Sequence, residues 1–139
     1  MRMSNYKADG EGLTQFFGAL EAKIMQILWS SKPLTIKEVQ AQLEPDKTVA
    51  FNTVMTVMNR LVEKGHLRKE AKARNGLFEP TQTKDQFLEE QTKAVATGLI
   101  QEFGNIAVSQ FVEAIEDIEP SLLEQLEKRL LEARERRQK

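Results

Sequence analysis

Apolar residues recur through residues 19–31, ALEAKIMQILWSS, at the spacing of one helical face, with Leu20, Ile24, Ile27 and Leu28 at i, i+4, i+7 and i+8. This pattern predicts a first helix that stops near Lys32, ahead of Pro33. In LTIKEVQAQL, Thr35 and Glu38 have the spacing of a capping box, and Leu34 with Val39 fits the hydrophobic staple that sets how a chain enters a helix. The second helix therefore turns Ile36, Val39 and Leu43 inward and ends near Leu43 or Glu44, where EPDKT breaks it. A third runs from Phe51 to Lys64 and ends at Gly65, a residue suited to a left-handed C-terminal position. At about 100° per residue, Val54, Met55, Val57, Met58, Leu61 and Val62 fill one half of its circumference. Asn52, Thr53, Thr56, Asn59, Arg60, Glu63 and Lys64 fill the other. The second half is less charged than an ordinary solvated face and carries short hydrogen-bonding groups.

After Gly65 the period changes. HLRKE and GLFEP read as two short strands, with AKARN between them and Pro80 ending the second. A lone pair of strands is marginal and needs helices to pack on. Three helices followed by a hairpin is the order of a winged helix, whose second and third helices form a helix-turn-helix. The loop around Lys72, Ala73, Arg74, Asn75 and Gly76 is then the wing. From Thr83 the helical period returns: KDQFLEEQTKAVATGLIQEF places Phe87, Gln91, Val95, Leu99 and Phe103 on one stripe and stops at Gly104. NIAVSQFVEAI follows with Ile106, Phe111 and Ile115. Pro120 and a second capping-box spacing, Ser121 with Glu124, open LLEQLEKRLLEARERR and its leucine stripe, and the basic end RERRQK reads as frayed. The expected protein is mainly α with a small β-hairpin: a flexible tail over 1–14, a winged helix-turn-helix over 15–82, and a three-helix region over 83–139. Three amphipathic helices beside one small domain leave apolar surface, and a second copy is the simplest cover for it. This predicts a homodimer with Phe111, Leu122, Leu126 and Leu130 in the interface.

With 139 residues, 40% of them hydrophobic and 29% charged, the chain can bury a core and stay soluble. Cysteine is absent, which excludes disulfides, thiol catalysis and thiolate metal sites and suits the cytoplasm. No apolar run approaches the roughly 20 residues of a membrane span, and the first residues lack the apolar stretch of a secretory signal. A formal net charge of −1 conceals an asymmetry. Residues 1–82 carry 12 Lys+Arg against 9 Asp+Glu, and residues 83–139 carry 8 against 12. Between residues 60 and 74, Arg60, Lys64, Arg68, Lys69, Lys72 and Arg74 face only Glu63 and Glu70, a local +4 suited to a polyanion.

A catalytic reading finds little support. His66 is the single histidine, so it has no partner for a triad or a histidine metal site, and it reads as a surface residue at the start of a strand. The carboxylates lie mostly on helix faces beside Lys or Arg. No glycine-rich phosphate loop occurs. Trp29, Met25, Met55 and Met58 fall on apolar faces as core residues. Neither an enzyme nor a cofactor or metal is expected.

Nucleic acid fits better. The major groove admits one helix and presents base donors, acceptors and thymine methyls. Thr53 and Thr56 can supply hydroxyls and methyls; Asn52 can read adenine or a phosphate; Arg60 can reach a guanine or a backbone oxygen. Lys64, Arg68, Lys72 and Arg74 can neutralise phosphates. The rival reading is a winged helix whose third helix docks on a protein partner.

The segments LEAKIMQILW (20–29), LTIKEV (34–39), AFNTVMTVMNRLVEKGHLRKE (50–70) and LFEP (77–80) resemble the penicillinase-repressor family, the BlaI/MecI/CopY group of bacterial winged-helix repressors. The similarity continues through KDQFLEE and the last leucine helix, over residues 15–132. It implies a homodimer held by C-terminal helices that blocks transcription at two-fold operators with TACA/TGTA-type half-sites. It places the family's base-reading threonines on Thr53 and Thr56, its Lys-or-Thr position on Asn52 and its arginine on Arg60. It also implies release through a membrane sensor-protease, with Gln110-Phe111 standing where β-lactam-responsive members are cut at Asn-Phe. Cysteine absence sets aside the copper-responsive branch, and Ala50 replaces a serine that in some members opens the third helix.

Overall fold

The computed structural model describes residues 12–44, 48–70 and 76–138. Their order is α1 (Ala19–Trp29), α2 (Ile36–Leu43), α3 (Phe51–Glu63), β1 (Leu67–Glu70), β2 (Leu77–Pro80), α4 (Lys84–Phe103), α5 (Asn105–Ile118) and α6 (Leu122–Arg137), with a 3-10 turn at Leu13–Gln15 ahead of α1. The architecture is a winged helix-turn-helix followed by three helices. The chain divides into two compact units, one ending at Gln91 and one beginning at Thr92.

In the first unit, α2 starts where its capping box does: Glu38 N–H donates to Thr35 Oγ1 at 3.2 Å, and Thr35 N–H donates to Glu38 Oε1 at 2.9 Å. Such a cap satisfies two otherwise orphaned donors. Gln40 Nε2 donates to the Val49 carbonyl at 2.9 Å and so ties α2 to the segment that leads into α3. At the other end of α3, Gly65 adopts φ +88, His66 N–H reaches the Leu61 carbonyl at 2.9 Å and Gly65 N–H reaches that of Val62 at 3.0 Å. These two bonds form a Schellman motif, which needs a residue free to take positive φ. The chain reverses there into β1.

β1 and β2 pair antiparallel, Arg68 opposite Glu79 and Lys69 opposite Phe78. The hairpin gains a third member that the sequence pattern does not announce. Leu34, between α1 and α2, exchanges both backbone bonds with Phe78, at 3.2 and 2.8 Å. Leu34, Phe78, Val39 and Leu61 are all buried in one core with Ile24, Leu28 and Met58.

Two boundaries differ from the sequence expectation. Leu13, expected in the loose tail, is 1% exposed and packs in the core, because its 3-10 turn folds it inward. Phe87, expected to open the C-terminal region, is also 1% exposed and stacks on Phe17 with ring centroids 4.9 Å apart. The first two turns of α4 therefore belong to the first unit. Their start is capped by Thr83 and Gln86, which exchange bonds at 3.1 and 3.0 Å.

In the second unit, α5 and α6 pack on each other. Ala107 alone is buried among the described residues from 92 onward. The expected Ser121/Glu124 capping box is absent. Ser121 has helical φ −60 and ψ −23, and its hydroxyl donates to Glu119 Oε2 at 3.4 Å. The cause is Pro120, whose fixed φ suits a first helical position, so that the turn has already closed through Leu122 N–H to Glu119 O and Leu123 N–H to Pro120 O. A cap residue must be extended, and Ser121 is one step too late. The basic end is helical through Arg137. No helix among the described residues is long and apolar enough to cross a membrane.

Candidate nucleic-acid interface

Helix α3 presents two unlike faces. Val54, Met58 and Leu61 are 0% exposed, whereas Asn52, Thr53, Thr56, Asn59 and Arg60 are exposed. Burial of the inner side chains stabilises by about 1.5–3 kcal/mol each, and this fixes the rotation of the helix about its axis. The outward direction of the polar half follows from that rotation. Phe51, at the first turn of α3, is also exposed. Ala50 stands at the N-cap without a side-chain bond, so the first amides of α3 lack the cap that α2 has.

The cations near this face are less free than the sequence pattern implies. Lys64 Nζ lies 3.3 Å from Glu21 Oε2, and Arg68 Nε lies 3.2 Å from Glu79 Oε2. Arg68 and Glu79 meet because the strand register sets them directly opposite. Lys69 holds its ammonium 5.6 Å from the centre of the Phe78 ring. Lys72 and Arg74 lie outside the described residues. Glu21 was not foreseen as part of this region. Its Oε1 accepts the Gly18 N–H at 2.9 Å, and that bond, helped by Lys64 and Arg60 and opposed by burial, holds its carboxyl below the ordinary value.

His66 is not the plain surface residue the sequence suggests. It is half-buried, edge-on to Phe17 and Phe87 at 5.1 and 5.6 Å. Burial first, and the Lys64 charge second, lower its pKa, while Glu21 opposes the shift. Trp29 joins the same aromatic group and donates its indole N–H to the Gln82 carbonyl at 3.0 Å. Thr81 donates its hydroxyl to the Gly65 carbonyl at 2.8 Å. The end of α3 and the start of α4 are thus pinned to one cluster.

Two further features flank α3. A groove of about 390 Å³ between α1 and the start of α3 brings Lys23 beside Thr53, with Leu20, Leu43 and Val49 as its apolar lining. A smaller notch sets Lys37 and Thr35 of α2 beside Phe51. Neither lysine stood out in the sequence, because each is the single cation of its helix and has a glutamate close by. Among the described residues no group of three His, Asp or Glu is placed to hold a metal ion.

In the second unit, Phe111, Leu122 and Leu130 are exposed and Leu126 is half-buried. Gln110 and Phe111 lie inside α5, where Gln110 Nε2 donates to Glu113 Oε2 at 3.0 Å.

Comparison with known proteins adds to this picture. Transcriptional regulator BlaI from Mycobacterium tuberculosis, in strains CDC 1551 / Oshkosh and ATCC 25618 / H37Rv, is 32% identical over 72 residues, 51% of this chain and 52% of that protein. The chain spans about half the length of these curated relatives in the match. Among solved structures it is similar to a Multiple Antibiotic Resistance Repressor, MarR, at 21% identity and a TM-score of 0.44, covering 93% of this chain and 90% of that one. The profile described as penicillinase repressor matches residues 17–132, which is most of the chain. The chain belongs to the penicillinase repressor family of transcriptional regulators.

Proposed function

We propose that this protein is a cytoplasmic transcriptional repressor that binds two-fold operator DNA as a homodimer and carries out no catalysis of its own. The observation that carries the proposal is the outward Thr/Asn/Arg face of α3, fixed in rotation by three fully buried residues on its other side. In a helix-turn-helix the second of the two helices enters the major groove, and residues in its first half meet base edges. Thr53 and Thr56 then offer hydroxyls and methyls to bases, Asn52 meets an adenine or a phosphate, and Arg60 reaches guanine or the backbone. Lys64, Arg68, Lys72 and Arg74 neutralise phosphates. The family assignment supports this reading.

The second copy covers the apolar face of α4–α6. Phe111, Leu122, Leu126 and Leu130 lie in that interface, and a two-fold dimer matches a two-fold operator. Release is by cleavage at Gln110-Phe111 by a membrane sensor-protease. Because that bond lies within α5, cutting requires the helix to open locally.

Operator selection from a random duplex pool, followed by titration with the full chain, tests the reading. Arg60→Ala weakens binding to the selected site by about 1–3 kcal/mol with unfolding unchanged. The logarithm of affinity falls with that of salt by about 0.9 per phosphate neutralised. A flat salt response and an indifferent Arg60→Ala variant would instead mark α3 as a protein-docking surface. A fragment ending near residue 110 in induced cells tests the cleavage step; intact protein throughout induction removes it.

A further inference from the structure

Glu21 stands behind the proposed DNA face, at a junction the operator reading leaves unused. One carboxylate oxygen accepts the Gly18 N–H at 2.9 Å and the other lies 3.3 Å from Lys64 Nζ, so a single side chain joins the start of α1 to the end of α3. The two partners are unequally placed. The Glu21 side chain is 14% exposed and that of Lys64 is 50% exposed, so the glutamate is the more covered of the two partners. Arg60, one helical turn before Lys64 on the same edge of α3, acts on the same carboxylate. The Gly18 bond and the two cations keep Glu21 ionised. A fixed anion therefore sits beside two of the cations that would meet phosphate.

We infer that Glu21 is an internal stand-in for a DNA phosphate: it holds Lys64 beside Arg60 in the free protein and yields part of that cation when a duplex arrives. The inference rests on the operator-binding reading. A lysine already paired with a fixed carboxylate neutralises less of an incoming phosphate, so DNA binding releases fewer counterions than the number of lysines implies. The same carboxylate repels any phosphate within a Debye length, about 8 Å at physiological salt. Both effects weaken every duplex equally and leave the base-facing Thr53 and Thr56 untouched. Glu21 thus sets how tightly the repressor holds DNA in general, and hence how readily it lets go.

The test uses the full chain and two fluorescent duplexes, the selected operator and a scrambled sequence. Glu21→Gln keeps an oxygen for the Gly18 N–H and removes the charge. It should tighten binding to both duplexes by about 3- to 10-fold at low salt and steepen the log–log salt dependence by up to about 0.9 per protomer, the value for one whole phosphate. In a Lys64→Ala background the same change should lose the part that runs through Lys64, seen as a smaller change of salt slope, and keep the part due to direct repulsion. Unchanged affinity and slope, or a weakening confined to the operator, would overturn the inference. A measurement on the unsubstituted protein guards against misfolding of the variant: the Glu21 carboxyl carbon, followed by NMR against pH, should titrate at higher pH with duplex bound than without it. An equal or lower value with duplex also overturns the inference. If the parent protein binds no duplex in a salt-dependent way, it is the operator reading that has failed.

Discussion

From Leu13 to Phe87 the chain closes its apolar faces on one another. Beyond Thr92 it leaves them open. In the first unit Phe78, Phe87, Ile24 and Leu28 are at most 1% exposed, and even the linker residue Leu34 is buried. In the second, Ile106, Ile118 and Leu131 are each more than 60% exposed, and Ala107 is the one buried residue described. Composition does not explain the contrast, since both regions have the apolar stripes of amphipathic helices. The first unit has three helices, a hairpin, a bridging residue and the first two turns of α4 to cover those stripes, whereas the second has the rest of α4, α5 and α6 and too little else. Exposed apolar surface on this scale is the kind that a partner covers. Within one chain the two solutions match the two tasks proposed above, reading DNA and pairing with a second copy.

The largest expected break in that comparison comes from the second unit. Replacing Leu126 and Leu130 together by Glu should abolish dimers in sedimentation while leaving unfolding of the first unit intact; dimers that persist place the interface elsewhere. Next, Phe87→Ala should cost about 3–5 kcal/mol in denaturant unfolding, because its ring is fully enclosed beside Phe17 and Trp29. Ile118→Ala in the Leu126→Glu/Leu130→Glu background should stay within about 0.5 kcal/mol, and a larger loss would mean that the second unit hides a core of its own. A sharper contrast uses two capping patterns of the same spacing. Thr35→Ala removes a formed cap and should cost about 1 kcal/mol, while Ser121→Ala removes none and should leave thermal unfolding nearly unmoved.

The smallest effect concerns pH. His66 has a folded-state pKa below the ordinary 6.5, with burial as the leading cause. The unfolded chain therefore takes up the proton first as pH falls. The contribution of His66 to stability is full above about pH 6.5 and is lost as pH drops through the lowered folded value. Denaturant midpoints measured from neutral to mildly acid pH should fall in the parent and fall less in His66→Asn; parallel curves would remove His66 as the cause.

What the sequence made legible was local. The rotation of α3, with Thr53, Thr56 and Arg60 outward and Val54 and Leu61 inward, follows from the period of a single helix. The Thr35/Glu38 cap needs only a spacing of three. That same spacing misled at Ser121, where the preceding proline had already begun the turn, and it went unused at Thr83 and Gln86, where it does form a cap. Long-range partners were out of reach. Glu21 meets Lys64 across 43 positions, Leu34 pairs with Phe78, and His66 is enclosed by rings from α4 and from the turn before α1. No periodicity encodes which elements meet, so the outward face was visible and the anion behind it was not.

The pair of backbone hydrogen bonds between Leu34 and Phe78 makes the short connection from α1 to α2 into a ruler. Surface connections commonly absorb an added or missing residue at small expense, but a change of one residue around 30–34 would slide this pairing by one step. Because side chains alternate across a strand, such a slip threatens to turn the buried Leu34 side chain toward water. The tolerated length variants of this fold should therefore cluster away from that connection, and a deep insertion scan would show a gap there.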